Sequence, residues 1–281
     1  MPPQISRARL ERLLFDDAPH GDLTTDTLGI TDRPGQMRFT AREPMVAALT
    51  ADAGYILEFA GAKVTLCAED GQRLDTGAEI LRAEGSAGAL LRGWKVAQTL
   101  IETWAGVATA ARSIVEAARA ASPGICIACT RKNAPGVKHF AVAAVKAGGA
   151  IMHRLGLSET ILVFPEHRAF LMDESLAEVA ARMRRAAPEK KLIIEVTSVG
   201  EGLAAAQAGF DVIQAEKFSP ASIAELVAAT RVLARPPAIA AAGGVNAANA
   251  RDYALSGADI LVTSAPYHAP PRDVSVRIGA Q

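Results

Sequence analysis

From residue 125 onward the chain repeats one order: a short apolar run, a short polar loop, then an alanine-rich segment with apolar residues at helical spacing. The apolar runs at 125–129, 160–164, 192–196, 212–215, 238–242 and 260–263 read as buried strands, and helical patterns fall near 138–147, 172–186, 199–208, 219–231 and 246–255. Strands that alternate with helices require right-handed crossovers and a parallel sheet, because a tight turn cannot return the chain to a parallel neighbour. A complete eight-stranded β/α barrel takes roughly 250 residues, so six strands in the second half of this chain predict an open or incomplete barrel.

The first half has a different texture. Residues 1–20 form an amphipathic helical pattern with Leu10, Leu13 and Leu14 on one face, ending before Pro19. His20-Gly21-Asp22-Leu23-Thr24-Thr25-Asp26 gathers small polar residues around a glycine, which suits a helix cap or a site element. Between 36 and 84, short alternating runs such as Met37-Phe39-Ala41 and Val64-Leu66 are broken at Asp70-Gly71 and Thr76-Gly77, with a helix near 51–59, so this is a small β-rich region. Its 69–77 segment resembles a β-hammerhead or lipoyl-like turn, a packing feature. Residues 89–121 place Leu90, Leu91, Trp94, Ala97, Leu100, Ile101 and Trp104 at helical spacing and predict one long helix or two joined near Gly106. Lys95 falls between the apolar positions, where a solvated helix charge would stand. The expected organisation is an N-terminal α/β sandwich-like domain, 1–110, and an open β/α barrel, 111–269, with 270–281 packing back on the first.

Charge narrows the ligands. Thirty basic and thirty acidic residues cancel, so the chain lacks the global basic footprint of a nucleic-acid binder, and any anion site must be local. No apolar run approaches the roughly 20 residues of a membrane span. Cys67, Cys126 and Cys129 make no even-numbered framework and no cleavable apolar leader is evident, which points to a reduced, cytoplasmic protein. Cys126-x-x-Cys129 is a poor zinc site, because strand residues three apart face opposite ways and no second pair completes the ligands.

In open α/β folds ligands bind beyond the carboxyl ends of the strands. Those ends carry Thr130-Arg131-Lys132 before Asn133-Ala134-Pro135-Gly136, then Phe164-Pro165-Glu166-His167, Glu195 with Thr197, Glu216-Lys217, Gly243-Gly244 and Thr263-Ser264. His153-Arg154 follows the first helical pattern. Two basic pairs at one rim suggest an anionic ligand, although one such pair alone would suit a solvated loop. Gly243-Gly244 opening a helix beside Ser264 resembles a phosphate cradle of backbone N–H groups. Glu195 and Glu216 end neighbouring strands, where carboxylates can share a divalent cation or each pair with a lysine such as Lys217.

In order along the chain, Gly21-Asp22-Leu23-Thr24-Thr25, Gly106-Val107-Ala108-Thr109, Thr130-Arg131-Lys132 with Pro135-Gly136, Ala147-Gly148-Gly149, His153-Arg154-Leu155-Gly156-Leu157 and Gly243-Gly244 resemble the quinolinate phosphoribosyltransferase family. The resemblance covers nearly the whole sequence and implies an α/β N-terminal domain followed by an open six- or seven-stranded β/α barrel. It further implies a homodimer in which each N-terminal domain covers the partner's barrel mouth. Members join a pyridine dicarboxylate to phosphoribosyl pyrophosphate with Mg²⁺, releasing pyrophosphate and carbon dioxide. By the resemblance, Arg131, Lys132, His153 and Arg154 bind substrate anions, Gly243, Gly244 and Ser264 take the sugar 5-phosphate, and Glu195 and Glu216 hold the metal. Lys132, Glu195 and Glu216 form the catalytic set.

Certain positions depart from the family together. Lys95 stands where the family has an arginine from the partner's helix, Phe164 where it has a barrel lysine, and Glu216-Lys217 where it has Asp-Asn. Ala240-Ala241-Ala242-Gly243-Gly244 replaces Glu-Ala-Ser-Gly-Gly. Losing the barrel lysine and the arginine fork removes a two-pronged grip on a dicarboxylate. These changes, with Trp94-Lys95-Val96-Ala97-Gln98 and Glu216-Lys217-Phe218-Ser219-Pro220, are similar to the ModD branch, named for molybdenum-transport gene clusters. Three readings follow: an Mg²⁺-dependent pentosyltransferase or pyrophosphorylase with an acceptor other than quinolinate; quinolinate phosphoribosyltransferase of NAD biosynthesis; or a non-catalytic anion- or nucleotide-binding protein linked to molybdenum uptake.

Overall fold

The structure is a computed structural model that describes residues 4–171 and 173–280. The chain divides into two compact units: Met1–Arg112 with Ala134–Gly149 and Pro266–Gln281, and Ser113–Asn133 with Ala150–Ala265.

The first unit begins with α1 (Arg7–Asp17), which buries Leu10 and Leu14 on the expected face, and α2 (Leu23–Thr27). Asp22 caps α2, accepting hydrogen bonds from the Thr24 and Thr25 amides at 3.0 and 3.3 Å, so the glycine-centred motif serves as a cap. Then come β1 (Pro34–Ala41), β2 (Met45–Val46), α3 (Thr50–Ala60), β3 (Lys63–Leu66), β4 (Arg73–Leu74), β5 (Glu79–Ser86) and α4 (Ala87–Arg119), whose residues 113–119 fall in the second unit. Strict alternation along β1 buries Met37, Phe39 and Ala41 on one face. The C-terminal strand β13 (Val274–Ala280) returns to pair antiparallel with β1, from Gly35↔Ala280 to Ala41↔Val274, and the sheet order is β13-β1-β5-β3.

Helix α4 runs 33 residues without a break at Gly106. That glycine serves close approach, because a Cβ there would collide with the Pro270 carbonyl oxygen. Trp104 is buried against Phe140, their rings stacked 5.8 Å apart, so it belongs to the core of this unit. Phe140 lies on α5 (Lys138–Ala147). The sequence places α5 with the barrel, but its contacts assign it to the first unit. The reason is local: Gly148, just past its end, has no Cβ to strike the Ala108 carbonyl oxygen, which would lie 2.6 Å away.

The second unit contains seven parallel strands in the order β7-β6-β12-β11-β10-β9-β8. Their ranges are β6 (Cys126–Cys129), β7 (Ile151–Met152), β8 (Ile161–Val163), β9 (Leu192–Val196), β10 (Val212–Glu216), β11 (Ala238–Ala242) and β12 (Ile260–Thr263). Between them run α6 (Pro165–Arg168), α7 (Leu176–Ala186), α8 (Val199–Gln207), α9 (Pro220–Arg231) and α10 (Ala250–Leu255). Residue 172, the start of one expected helix, lies outside the described residues. Alternate positions Leu162, Ile193, Val212, Ala240, Ala242 and Val262 form one buried apolar cluster, with Phe164 packed against it. Strand β7 was absent from the sequence reading because two residues carry no periodicity; it pairs Ile151 with Ala128 and Met152 with Cys129. Strands β7 and β8 end the sheet without pairing to each other, so this is an open barrel.

Burial pushes the Cys129 thiol up to about 12, and the three cysteines are free, so Cys126-x-x-Cys129 holds neither a disulfide nor a reactive thiolate. Among the described residues no helix is long and apolar enough to cross a membrane, and no group of three or more His, Cys, Asp or Glu side chains converges as a metal centre.

Candidate active site

A cavity of about 540 Å³ opens at the carboxyl ends of the strands, wholly within the second unit. Each strand but β8, which is followed by Phe164, delivers a polar residue or a glycine backbone to it as it ends. Arg131 and Lys132 follow β6, and His153 and Arg154 follow β7, where the His153 amide donates to the Cys129 carbonyl at 2.8 Å and ties the two segments together. Glu195 comes from β9, Glu216 from the end of β10, Gly243 and Gly244 follow β11, and Ser264 follows β12. Of the rim residues singled out in the sequence, Arg131, Lys132, His153, Arg154, Glu195, Glu216, Gly243, Gly244 and Ser264 line one cavity, whereas Glu166, His167, Thr197, Lys217 and Lys95 do not. Lys95 lies on α4 of the first unit, its ammonium 4.0 Å from the Trp94 ring centroid and donating to Gln98 Oε1 at 2.9 Å.

The arginines and lysine of the rim stand outside the ion pairs of the described residues, although the Lys132 charge reaches Glu195 and opposes the rise that burial imposes on its pKa. Arg154 is 8% exposed and, among the described residues, it, Arg131 and Lys132 make no ion pair. The Arg154 guanidinium instead lies 5.4 Å from the centroid of Phe164, just past β8, so a cation–π contact joins the two unpaired edges of the sheet. Phe164 is oriented in turn by His167, whose Nδ1 accepts from its amide at 2.9 Å and whose ring stacks on it. Burial, and then the neighbouring Arg131 charge, lower the Arg154 pKa. Burial, and then Arg154, lower that of His153, which keeps this imidazole neutral at pH 7.

Opposite signs meet on the other wall. Burial raises the Glu195 pKa; the hydrogen bond from Gln214 opposes this, and the Glu216 charge adds to it. Neither Glu195 nor Glu216 makes an ion pair among the described residues, although the Lys132 charge also works against the rise in the Glu195 pKa. Glu195 Oε2 accepts from Gln214 Nε2 at 2.7 Å. Sequence reasoning passed over Gln214, although one amide inside the apolar run Val212-Ile213-Gln214-Ala215 was a usable signal.

The glycine pair does not open a helix, as the sequence suggested. Gly243 and Gly244 have φ of +85° and +81°, and residues 245–249 intervene before α10 starts at Ala250. The Asn246 and Asn249 side-chain amides both donate to the Gly244 carbonyl, at 3.1 and 3.0 Å, and hold a loop where a helical turn was expected. Thr263 Oγ1 donates to the Val245 carbonyl at 2.6 Å and ties this loop to β12. A Cβ on Gly243 would lie 2.8 Å from Glu216 Oε1, so the loop passes directly over that carboxylate.

Comparison with known proteins decides the lineage. Residues 107–277 match the family model described as quinolinate phosphoribosyl transferase, C-terminal domain, and residues 22–104 match the N-terminal domain. The chain belongs to the quinolinate phosphoribosyl transferase family. Within this family of pentosyl-transferring enzymes it is ModD-like: it is 45% identical over 246 residues to the protein named pyrophosphorylase ModD in Rhodobacter capsulatus, covering 88% of this chain and 95% of that one. A protein of Archaeoglobus fulgidus named as a carboxylating nicotinate-nucleotide pyrophosphorylase is 32% identical over 213 residues, covering 75% of this chain and 81% of that one. The crystal structure of NadC from Streptococcus pyogenes superposes with a TM-score of 0.88 at 25% identity, covering 98% of this chain and 96% of that one.

For a member of the quinolinate phosphoribosyl transferase family the cavity is chemically lopsided. Cations cluster after β6 and β7, carboxylates on β9 and β10, and the ring of Phe164 stands between them after β8. Such a site can hold a multiply charged anion at one side and a cation or electropositive carbon at the other, with an apolar floor of Leu162, Ala242 and Val262.

Proposed function

We propose that this chain is a pentosyltransferase that uses phosphoribosyl pyrophosphate with Mg²⁺ and an acceptor other than quinolinate. The observation that carries the reading is Arg154: a cationic residue only 8% exposed, beside Arg131 and, among the described residues, in no ion pair, is costly unless an anion completes it. Departure of pyrophosphate from the sugar leaves negative charge on the phosphates, which Arg131, Lys132 and Arg154 meet, and positive charge on the ring carbon, which the Glu195 and Glu216 side of the cavity tolerates. Open backbone at Gly244, where a Cβ would find no atom within 4 Å, leaves room for the 5-phosphate beside Ser264.

The donor set fits a magnesium ion. Mg²⁺ takes one or two protein carboxylates and fills its remaining positions with water and substrate phosphate, and here two carboxylates stand near enough for the Glu216 charge to raise the Glu195 pKa. Glu195 and Glu216 would hold it, and when bound it would neutralise the departing phosphate charge. Lys95 would complete the site from a second copy of the chain in a homodimer.

Titration calorimetry with phosphoribosyl pyrophosphate and Mg²⁺ tests the reading. Binding that is lost in Arg154→Ala is expected; no heat at millimolar ligand overturns it. Relatives named as nicotinate-nucleotide pyrophosphorylases favour a second reading, quinolinate itself as acceptor. That reading requires carbon dioxide release from quinolinate by the wild-type chain. On the first reading none is produced, and Phe164→Lys with Lys95→Arg gains quinolinate affinity.

A further inference from the structure

The acceptor side of the cavity carries more information than the absence of one lysine. In the parallel register Glu195 pairs with Gln214, and Val163 pairs with Ile194, so Phe164 follows one step later at the level of Glu195. Phe164, Glu195 and Gln214 therefore stand in one row across β8, β9 and β10, above the apolar cluster of the inner face.

Gln214 is the unusual member of that row. It is 5% exposed, it stands in a strand whose neighbouring side chains are apolar, and an apolar residue would satisfy the packing there. Its amide nitrogen is committed to Glu195 at 2.7 Å, while its carbonyl oxygen Oε1 has no hydrogen-bond partner. A buried acceptor without a donor is destabilising, and on a residue that lines a cavity the donor can come from what the cavity holds. Oε1 can only accept, so the group that meets it carries N–H or O–H.

Phe164 sets the second constraint. It adds a ring and no charge, and the cations that line this cavity lie on the segments after β6 and β7. An anionic group can be met at Arg154. A second one placed against the row would face an aromatic ring and an amide already bonded to Glu195, where it is desolvated without a guanidinium to meet it. A flat uncharged ring face, by contrast, is matched by Phe164, Leu162 and Val262.

We infer that the acceptor is a planar aromatic acid with a single anionic group and a hydrogen-bond donor on its ring: Arg154, whose guanidinium has five N–H donors and so can meet a carboxylate on one edge and a phosphate on the other, takes the anion, Phe164 and the floor take the ring, and Gln214 Oε1 accepts from the donor. Calling this ligand the acceptor rests on the pentosyltransferase reading; the selectivity itself rests on the row. Gln214 is thereby a specificity-determining residue, and Phe164 rejects dicarboxylates.

The test titrates the full-length protein with benzoate, phthalate, nicotinate, quinolinate and the three hydroxybenzoates, with and without phosphoribosyl pyrophosphate and Mg²⁺. Benzoate and nicotinate should each bind at least about tenfold more tightly than phthalate and quinolinate, and one hydroxybenzoate about tenfold more tightly than benzoate, the scale of one hydrogen bond to a buried partner. In Gln214→Met the hydroxybenzoate-to-benzoate ratio should collapse toward one, and in Phe164→Lys the order of mono- and dicarboxylates should invert. Thermal unfolding checks that both variants fold, and the wild-type series decides the monoanion preference without them. Equal or tighter binding of the dicarboxylates, no binding of any aromatic acid, or a hydroxybenzoate preference that survives Gln214→Met overturns the inference. A chain that prefers monoacids but ignores phosphoribosyl pyrophosphate keeps it and removes the donor assignment; a chain that binds phosphoribosyl pyrophosphate and prefers quinolinate does the reverse.

Discussion

The first unit and the barrel mouth handle charge in opposite ways. On the first unit, Arg272 meets Glu43 at 2.7 Å, Arg38 meets Glu79 at 2.8 Å and Arg42 meets Asp273 at 3.4 Å, all partly or largely in solvent. Its buried carboxylate, Asp52, accepts from the Ile5 amide at 2.8 Å through Oδ1, so the fold partners one oxygen, while Oδ2 has none among the described residues and burial raises the pKa. At the mouth, Arg131 and Arg154 lie side by side with no carboxylate, and Arg154 is buried. Exposed pairs cost little to make and contribute little. A buried cation whose one favourable contact among the described residues is an aromatic ring opposes folding, so its presence is the observation that favours an anionic ligand.

Removing Arg154 should break this contrast most sharply. Arg154→Ala is expected to weaken phosphoribosyl pyrophosphate binding by roughly a hundredfold or more, the scale of a charged hydrogen-bonded contact. Its melting temperature should hold steady or rise, because a desolvated charge has gone. A binding loss with a large drop in melting temperature would mean that Arg154 is structural, like the paired arginines of the first unit.

Gly243→Ala comes next. Its φ of +85° disfavours a side chain, and the new methyl would lie 2.8 Å from Glu216 Oε1 and 2.9 Å from the Lys217 amide nitrogen. A cost of about 1–3 kcal/mol is expected in chemical denaturation, with a raised KM for the phosphosugar. An unchanged KM would remove the loop from the binding site.

His153 sharpens the comparison through pH. Its pKa is depressed by burial and by Arg154, so the folded state favours the neutral ring; this contribution is present above the ordinary value of 6.5 and is lost as pH falls through the folded value. NMR titration should show the His153 ring neutral at pH 7, and its pKa should rise in Arg154→Ala or when an anion occupies the cavity. A His153 pKa that ignores both changes would show that the mouth is not a cationic pocket.

The smallest effect belongs to the first unit. Arg42→Ala, which breaks an ion pair whose side chains are 60% and 54% exposed, should shift stability by less than about 0.5 kcal/mol in the same denaturation assay.

Strands β9, β11 and β12 coincide with their sequence readings, because a strand buried on both faces is a continuous apolar run and needs no partner to be seen. Strand β7 and the late start of α10 were not legible. A two-residue strand has no period, and the Asn246 and Asn249 side chains compete with the helical turn only once the loop has folded around the Gly244 carbonyl. Gln214 was visible as an amide in an apolar strand, yet its significance lies in an oxygen left without a partner, which no sequence displays.

The sequence by itself determined the alternation of strand and helix, and so determined that Arg131, Glu195, Glu216 and Gly243 would collect at one sheet edge, because every strand of a parallel sheet points the same way. Only the tertiary structure decided that β7 and β8, at opposite ends of the sheet order, would curve toward each other until Arg154 lay over Phe164. Periodicity records which face of a strand is buried; the curvature that brings two edges together arises from twist accumulated over the whole sheet, and no local run of residues encodes it.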